Sequence, residues 1–295
     1  MKKVAVLLAV YNGKKWIDEQ LESILNQENV NVDIYISIDE STDSSHEYIV
    51  SNYNKDNIYI LPYGERYGSA GKNFYRLVRD VDFNEYDFIS FSDQDDIWHT
   101  DKLATAISTI DSKCIDAYSS NVIAFWENGK SVIIDKAQPQ LSYDYFFEAA
   151  GPGCTYVFNN SLAQAFKAFI NNRSSDDLAE LHDWLLYAFA RANGYKWYID
   201  PKPGMLYRQH ESNQVGANNS LKMWVKRIQL IKSGWYRREV TKLIKLFCNS
   251  PDLGSLVTAP KSFKNNYKLS LLIDQIRRRQ RDRVILYLSF LINIF

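Results

Sequence analysis

Three short strand-like runs, each ending in a cluster of polar residues, limit what this chain can fold into more than any other feature. Val4–Val10 ends at Tyr11-Asn12-Gly13, Val32–Ile38 ends at Asp39–Ser45, and Phe88–Ser92 runs into Asp93-Gln94-Asp95-Asp96. Between the first two, Ile17, Leu21, Ile24 and Leu25 fall at i, i+4, i+7 and i+8, one face of a helix. A helix through Tyr48–Tyr53, a strand Ile58–Leu61 and a helix Asn73–Val81 lead up to the third run. Strand, helix, strand with short loops predicts parallel βαβ units in a doubly wound sheet. Ligands of such sheets sit at the carboxyl ends of the strands, beside a switch in strand order. All three polar clusters fall at those ends.

Beyond residue 100 the pattern is mixed. A helix Asp101–Ile110 precedes strands over Ala117–Phe125 and Thr155–Phe158, helices near Leu162–Ile170 and Asp183–Ala192, and a strand Tyr195–Ile199. The remainder reads as helices around Leu221–Ser233, Tyr236–Cys248 and Tyr267–Phe295, with Pro251 and Pro260 marking breaks. Charge divides there too. Residues 1–219 hold 19 Lys and Arg against 31 Asp and Glu, and residues 220–295 hold 16 against 4. An acidic body therefore carries a basic tail, and such a tail seeks an anionic partner. Three scattered cysteines (Cys114, Cys154 and Cys248) form no CxxC pair, which suits a reducing, cytoplasmic setting. The apolar start is too short for a secretory leader and reads as a buried strand.

Asp93-Gln94-Asp95-Asp96 places three carboxylates within four residues, which repel one another unless a cation or a donor lies among them. Oxygen ligands suit Mg²⁺, which completes its shell with phosphates and water, and Mn²⁺ accepts the same ligands plus an imidazole. The plain alternative is a solvated acidic turn capping the next helix. Alignment with two other polar strand ends favours a metal and a nucleotide.

With these residues in view, the chain resembles family 2 glycosyltransferases of the GT-A fold. The resemblance rests on six motifs in order: Val10-Tyr11-Asn12-Gly13, Ile38-Asp39-Glu40-Ser41-Thr42-Asp43, the DXD-like Ser92–Trp98, Gly151-Pro152-Gly153-Cys154-Thr155, His182-Asp183-Trp184, and Tyr207-Arg208-Gln209-His210 followed by Ser212–Gly216. The last is similar to a segment of the rhamnosyltransferase-like branch. Residues 3–218 carry the likeness. It implies an α/β GT-A catalytic domain over 1–218, with a nucleotide-binding half (1–100) and an acceptor half (101–218). A basic helical tail over 219–295 follows.

The resemblance also implies roles. Asp39 would bind the pyrimidine base, with Tyr11 and Asn12 lining the same pocket. Asp93 would face the ribose or the metal's surroundings, Asp95 would ligate Mn²⁺ or Mg²⁺, and His210 would add a nitrogen ligand or touch the diphosphate. Arg208 would help hold the nucleotide sugar. Asp183 would be the general base, with Glu180 as the alternative. Glu40 stands where the family often has a second Asp.

The implied activity is inverting, metal-dependent transfer of a sugar onto a hydroxyl of a growing, lipid-linked cell-surface polysaccharide. The donor would be dTDP-rhamnose, or a UDP-hexose or UDP-N-acetylhexosamine. A nucleotidyltransferase would want a Gly- and Lys/Arg-rich loop after the first strand, and a Rossmann dehydrogenase would want GxGxxG there. A non-catalytic sugar-binding module would not need Asp93, Asp95, Asp183 and His210 together. No nucleic acid partner is expected. The tail pairs a basic stretch, Arg277–Arg283, with an apolar run, Val284–Phe295, too short to span a bilayer. It is expected to hold the protein peripherally at an anionic inner membrane face. The alternative is packing on the body or on a second subunit in a homo-oligomer.

Overall fold

The computed structural model describes residues 1–210 and 229–295. Its main sheet is built on β1 (Lys2–Val10), with β2 (Val30–Ile38) on one side and β4 (Phe88–Ser92) on the other, all parallel. β3 (Ile58–Ile60) extends the β2 edge, and β9 (Val157–Asn159), β6 (Ala117–Ser120) and β10 (Trp197–Asp200) continue beyond β4. β9 runs antiparallel to both neighbours, so the sheet is mixed but mainly parallel.

The unbroken apolar run of β1 has a simple cause: both faces of the sheet are covered. Ala5, Leu7 and Ala9 join a core with Phe74, Leu77 and Val78 of α3 (Ala70–Asp80). Val4, Val6, Leu8 and Val10 join the opposite core with Ile17, Leu21 and Ile24 of α1 (Ile17–Leu25). The order of strands reverses at β1, because β2 and β3 lie to one side and β4 to the other. Register pairs Val10 with Ile38 and Leu8 with Ser92. Tyr11, Asp39 and Asp93 therefore leave the sheet along one edge at the switch point, as expected.

α2 (Ser45–Asn52), α4 (Lys102–Lys113), α5 (Asn160–Asn171) and α6 (His182–Ala192) complete the body. The single strand expected over Ala117–Phe125 is two. The chain leaves the main sheet at Asn121 and enters a smaller sheet ordered β5 (Ile97–Trp98), β11 (Met205–Arg208), β7 (Val122–Phe125), β8 (Ser131–Ile134). Asn121 pins that passage. Its amide donates to Asp135 Oδ1 (3.0 Å) and the Pro201 carbonyl (3.1 Å), and its Oδ1 accepts from Lys136 N. The short strands β5, β8 and β11 carry too few residues for periodicity to mark. Thr155 ends a 3₁₀ turn rather than opening a strand.

The C-terminal helices α7 (Trp235–Phe247), α8 (Pro251–Thr258), α9 (Phe263–Ser270), α10 (Ile273–Ile276) and α11 (Gln280–Leu291) are packed on the body. Val240, Leu243, Leu253, Leu269, Ile276, Leu286 and Phe290 share one core with α3 and α6. The helix expected over Tyr267–Phe295 is broken because Arg278 turns inward. Its guanidinium reaches Asp144 (3.2 Å) and Glu148 (3.5 Å) with no exposure, and Asp144 is also held by Arg191 (3.2 Å) and the Tyr187 hydroxyl (3.0 Å). Arg277 donates to the Phe147 carbonyl. Two arginines of the basic stretch are thus internal staples. Most of the helix expected over Leu221–Ser233, the Ser212–Gly216 motif and the boundary at 218/219 lie outside the described residues. Among the described residues, no helix is long and apolar enough to cross a membrane.

Candidate active site

At the carboxyl ends of β1, β2 and β4 lies a cavity of about 830 Å³. Tyr11, Asn12, Asp39, Asp93, Asp95, Asp183 and His210 all line it, together with Trp16, Asn73 and Gln94. Of the residues expected to form the site, Arg208 and the alternative base Glu180 do not line it. Tyr207 lines the cavity, and alternation along β11 sends its neighbour the other way. The Arg208 guanidinium lies over the Phe125 ring, donates to the Asp95 carbonyl (2.8 Å) and pairs with Glu19. It braces the acidic loop from behind.

The end of the cavity at β1 and β2 is a set of backbone clamps. Gln94 spans the gap between β4 and β1 by accepting from Tyr11 N (2.7 Å) and donating to the Tyr11 carbonyl (2.9 Å). A Cβ at Gly13 would meet the Gln94 amide at 2.4 Å, so that position tolerates only glycine while Gln94 is clamped. Asn12, at φ 48°, accepts from Thr42 N through its Oδ1 (2.8 Å) and donates from its own N–H to the Ser41 hydroxyl (3.0 Å). The Asp39 carboxylate accepts from Tyr67 N (2.7 Å), Gly68 N (2.9 Å) and Glu40 N (2.9 Å), which draws the loop before α3 over the site. Asn73 ties the ends of β1 and β2 by donating to the Ser37 and Val10 carbonyls.

The acidic cluster divides by function. Asp95 Oδ2 lies 2.6 Å from His210 Nε2, and the His210 ring stacks on Trp16 with centroids 4.2 Å apart. Asp93 is pushed up to about 7, first by burial and then by Asp95 and Asp183. Asp96 points inward, accepts from Arg208 N (3.1 Å), and is raised well above the usual carboxylate range by burial and by its two acidic neighbours. Its place beneath the cavity floor, held by the β11 backbone, makes it part of the scaffold of the acidic loop. One potential ligand atom each of Asp93, Asp96 and Cys154 falls within a 4.8 Å group.

In the same cavity, Asp183 sits in the first turn of α6. A helix N-terminus lowers a carboxyl pKa, yet burial outweighs it here and raises Asp183 to about 6. Trp184 N donates to its Oδ1 (2.7 Å). His182 beside it is structural. Its ring stacks on Phe74 at 3.8 Å, and burial drives it down to about 3, so it stays neutral. Two glycines allow this approach. A Cβ at Gly153 would lie 2.8 Å from His182 Nε2 and 3.0 Å from Asp183 Cβ, and one at Gly71 would lie 2.0 Å from the Glu180 carbonyl. Glu180 itself is exposed, does not line the cavity and accepts from Trp235.

The charge of Lys136 acts on Asp183, and Arg279, Arg281 and Asp282 also line the cavity. Burial depresses Lys136 to about 8, although Glu148 and Asp282 raise it. Lys136 and Arg279 make no side-chain hydrogen bond or ion pair with another described residue. None of these contacts has a periodic or motif signal, and sequence reasoning did not find Trp16, Gln94, Lys136 or Arg279.

Residues 5–165 match the family described as Glycosyl transferase family 2. The dTDP-rhamnosyl transferase RfbG of Shigella flexneri is 47% identical over 293 residues, covering 98% of this chain and 100% of that protein. The structure of S. aureus TarS 1-349 in complex with UDP-GlcNAc aligns with a TM-score of 0.62 at 16% identity, covering 99% of this chain and 81% of that one. The mannosyltransferase PcManGT from Pyrobaculum calidifontis, in complex with GDP-Man and Mn2+, aligns with a TM-score of 0.54 at 13% identity, covering 99% and 85%. The mixed, mainly parallel sheet with its switch-point cavity is the GT-A architecture these structures share. The chain belongs to glycosyl transferase family 2, in its rhamnosyltransferase-like branch, and is a hexosyltransferase that draws on a nucleotide sugar.

Proposed function

We propose that this enzyme transfers rhamnose from dTDP-rhamnose, with inversion, to a hydroxyl of a lipid-linked saccharide in cell-surface polysaccharide assembly at the inner face of the membrane. The observation that carries the chemistry is the pairing, in one cavity, of the Asp93–Asp95–His210 cluster with a half-buried carboxylate at Asp183. The full-length likeness to RfbG supports the donor.

Asp183 acts as the general base. A carboxyl near 6 is mostly ionised at neutral pH yet basic enough to take the acceptor proton as the oxygen attacks. One displacement then inverts the anomeric carbon, and no second nucleophile is required. Tyr11, Asn12 and Asp39 hold the base and ribose, and Asp93 faces the sugar-nucleotide side of the reacting centre. The metal site is Asp95 with His210. Their carboxylate oxygen and imidazole nitrogen converge on the cavity, a donor set that suits Mn²⁺ and, through the carboxylate, Mg²⁺. When bound, the ion offsets charge gathering on the leaving diphosphate. Arg208 positions that loop rather than touching the donor.

The basic side chains of Lys136 and Arg279 in the same cavity favour an acceptor that carries phosphate, as a saccharide on a lipid diphosphate does. Residues 1–100 therefore serve mainly the nucleotide and residues 101–218 mainly the acceptor, with His210 joining the nucleotide side, and the tail adds Arg279 to the acceptor side.

A panel of dTDP-rhamnose, UDP-hexoses and UDP-N-acetylhexosamines, with Mn²⁺ or chelator, tests the reading. Turnover of dTDP-rhamnose with inverted product stereochemistry by NMR is expected. Preference for a UDP-sugar would overturn the donor, and retention would overturn the mechanism.

A further inference from the structure

The outer faces of α9 and α11 are apolar where a surface helix is normally polar. On α9, Phe263 (66% exposed), Tyr267 and Leu271 (65%) recur at i, i+4 and i+8. On α11 and its end, Val284, Tyr287, Leu288, Leu291 and Ile292 (61%) recur at i, i+3, i+4, i+7 and i+8. The inner faces of the same helices, through Leu269, Leu286 and Phe290, already fill the core, so folding does not need the outer residues. The two helices pack side by side, and Asn266 on α9 donates to Asn293 just past α11 (2.8 Å). Eight large apolar side chains, each more than a third exposed, exceed the scattered few that a soluble surface carries.

We propose that this face docks on a bilayer containing anionic lipids. Its charge selects the occupant. Lys261, Lys264 and Lys268 are exposed among the apolar residues of α9 and the turn before it, and residues 259–273 and 283–295 contain no Asp or Glu. Anionic headgroups complement such a face, while its rings and aliphatic chains enter the headgroup boundary. A second copy would bring lysines against lysines without an acid to pair them. The arginines expected to provide the attraction are largely engaged elsewhere: Arg277 and Arg278 point inward, and Arg283 pairs with Asp274 (2.8 Å). The lysines of α9 take that part. The first turn of α11 and the residue before it place Arg281 and Arg279 in the cavity wall. Docking through α11 therefore sets the acceptor side of the cavity near the lipid surface. The docking itself does not depend on which sugar is transferred.

The test is co-sedimentation of the full chain with vesicles of phosphatidylethanolamine and phosphatidylglycerol, against phosphatidylcholine alone. Wild type should sediment with the anionic vesicles. Phe263→Ser combined with Leu288→Ser and Ile292→Ser should weaken partition by more than about tenfold, given the apolar area removed. Lys264→Glu with Lys268→Glu, both at exposed positions, should abolish the preference for anionic lipid and its salt sensitivity. Both variants should keep the wild-type circular dichroism and hydrolysis of nucleotide sugar without acceptor. Binding by either variant equal to wild type overturns the proposal. So does a wild type that ignores vesicles, including one that light scattering shows to be a dimer dissociated by the same substitutions.

Discussion

Asp183→Asn should move catalysis and stability in opposite directions. Burial raises this carboxyl from 3.8 to about 6, and each pKa unit corresponds to about 1.4 kcal/mol between protonation states. The ionised side chain therefore costs the folded protein up to about 3 kcal/mol. The sign follows from the two states. Below about 3.8 the group is protonated whether folded or unfolded, and no cost arises. As pH rises towards 6 the unfolded chain ionises while the buried group resists, and above 6 the cost is complete. Asparagine keeps the shape and can still accept from Trp184 N, but carries no charge. The variant should melt higher than wild type at pH 8, with the gain fading as pH falls to 4. Turnover should drop by about 10²–10⁴-fold, the usual worth of a general base. Wild-type turnover at saturating donor should fall about tenfold per pH unit below 6, while the variant shows no such limb. Thermal melts across pH and a coupled nucleotide-release assay read both arms. A variant that turns over near the wild-type rate, or that melts lower at pH 8, refutes the assignment.

Asp95→Ala should abolish transfer, and excess chelator should do the same to wild type in a manner reversed by Mn²⁺; full turnover in chelator, followed by nucleotide release, would remove the metal. Gly153→Ala places a methyl group 2.8 Å from His182 and 3.0 Å from Asp183, so the base must move by a few tenths of an ångström; kcat should fall by about a hundredfold with donor affinity unchanged by calorimetry. Arg278→Met leaves Asp144 and Glu148 buried without their shared partner, and denaturant melts should show a loss of about 3–5 kcal/mol.

The sheet was legible because β1, β2 and β4 are apolar on both faces and end in polar clusters, a pattern that follows from burial alone. Asp39, Asp93 and Asp95 were legible for the same reason, since their place at strand ends is a consequence of parallel topology. Arg208 was misplaced because a motif records neighbours in sequence and not the strand alternation that turns Tyr207 inward and Arg208 outward. The short strands β5, β8 and β11 were missed because two to four residues cannot show a period. For Asp183, the local rule of a helix terminus implied a lowered pKa. Burial in the cavity wall outweighs both that rule and the lowering pull of the Trp184 and Gly153 backbone hydrogen bonds and of Lys136, and sets the opposite sign.

The tail shows most clearly what composition cannot resolve. Five arginines in seven residues read as one basic patch, but a charge is only a patch if nothing inside the fold outbids solvent for it. Asp144 and Glu148 lie more than 120 residues upstream and do so for Arg278. Satisfying them interrupts the helix at residues 277–279, because an extended backbone is needed to carry the side chain inward. That interruption lets α11 start again in a new direction, with Arg279 and Arg281 at the cavity wall and Val284, Tyr287, Leu288, Leu291 and Ile292 turned to the surface. The same buried ion pairs thus separate a cavity-lining end of the tail from an apolar face. Arg278→Met should disturb both at once, whereas Lys264→Glu with Lys268→Glu should leave the cavity intact. Comparing vesicle binding and transfer in those two variants distinguishes a tail that organises the site from one that only tethers it.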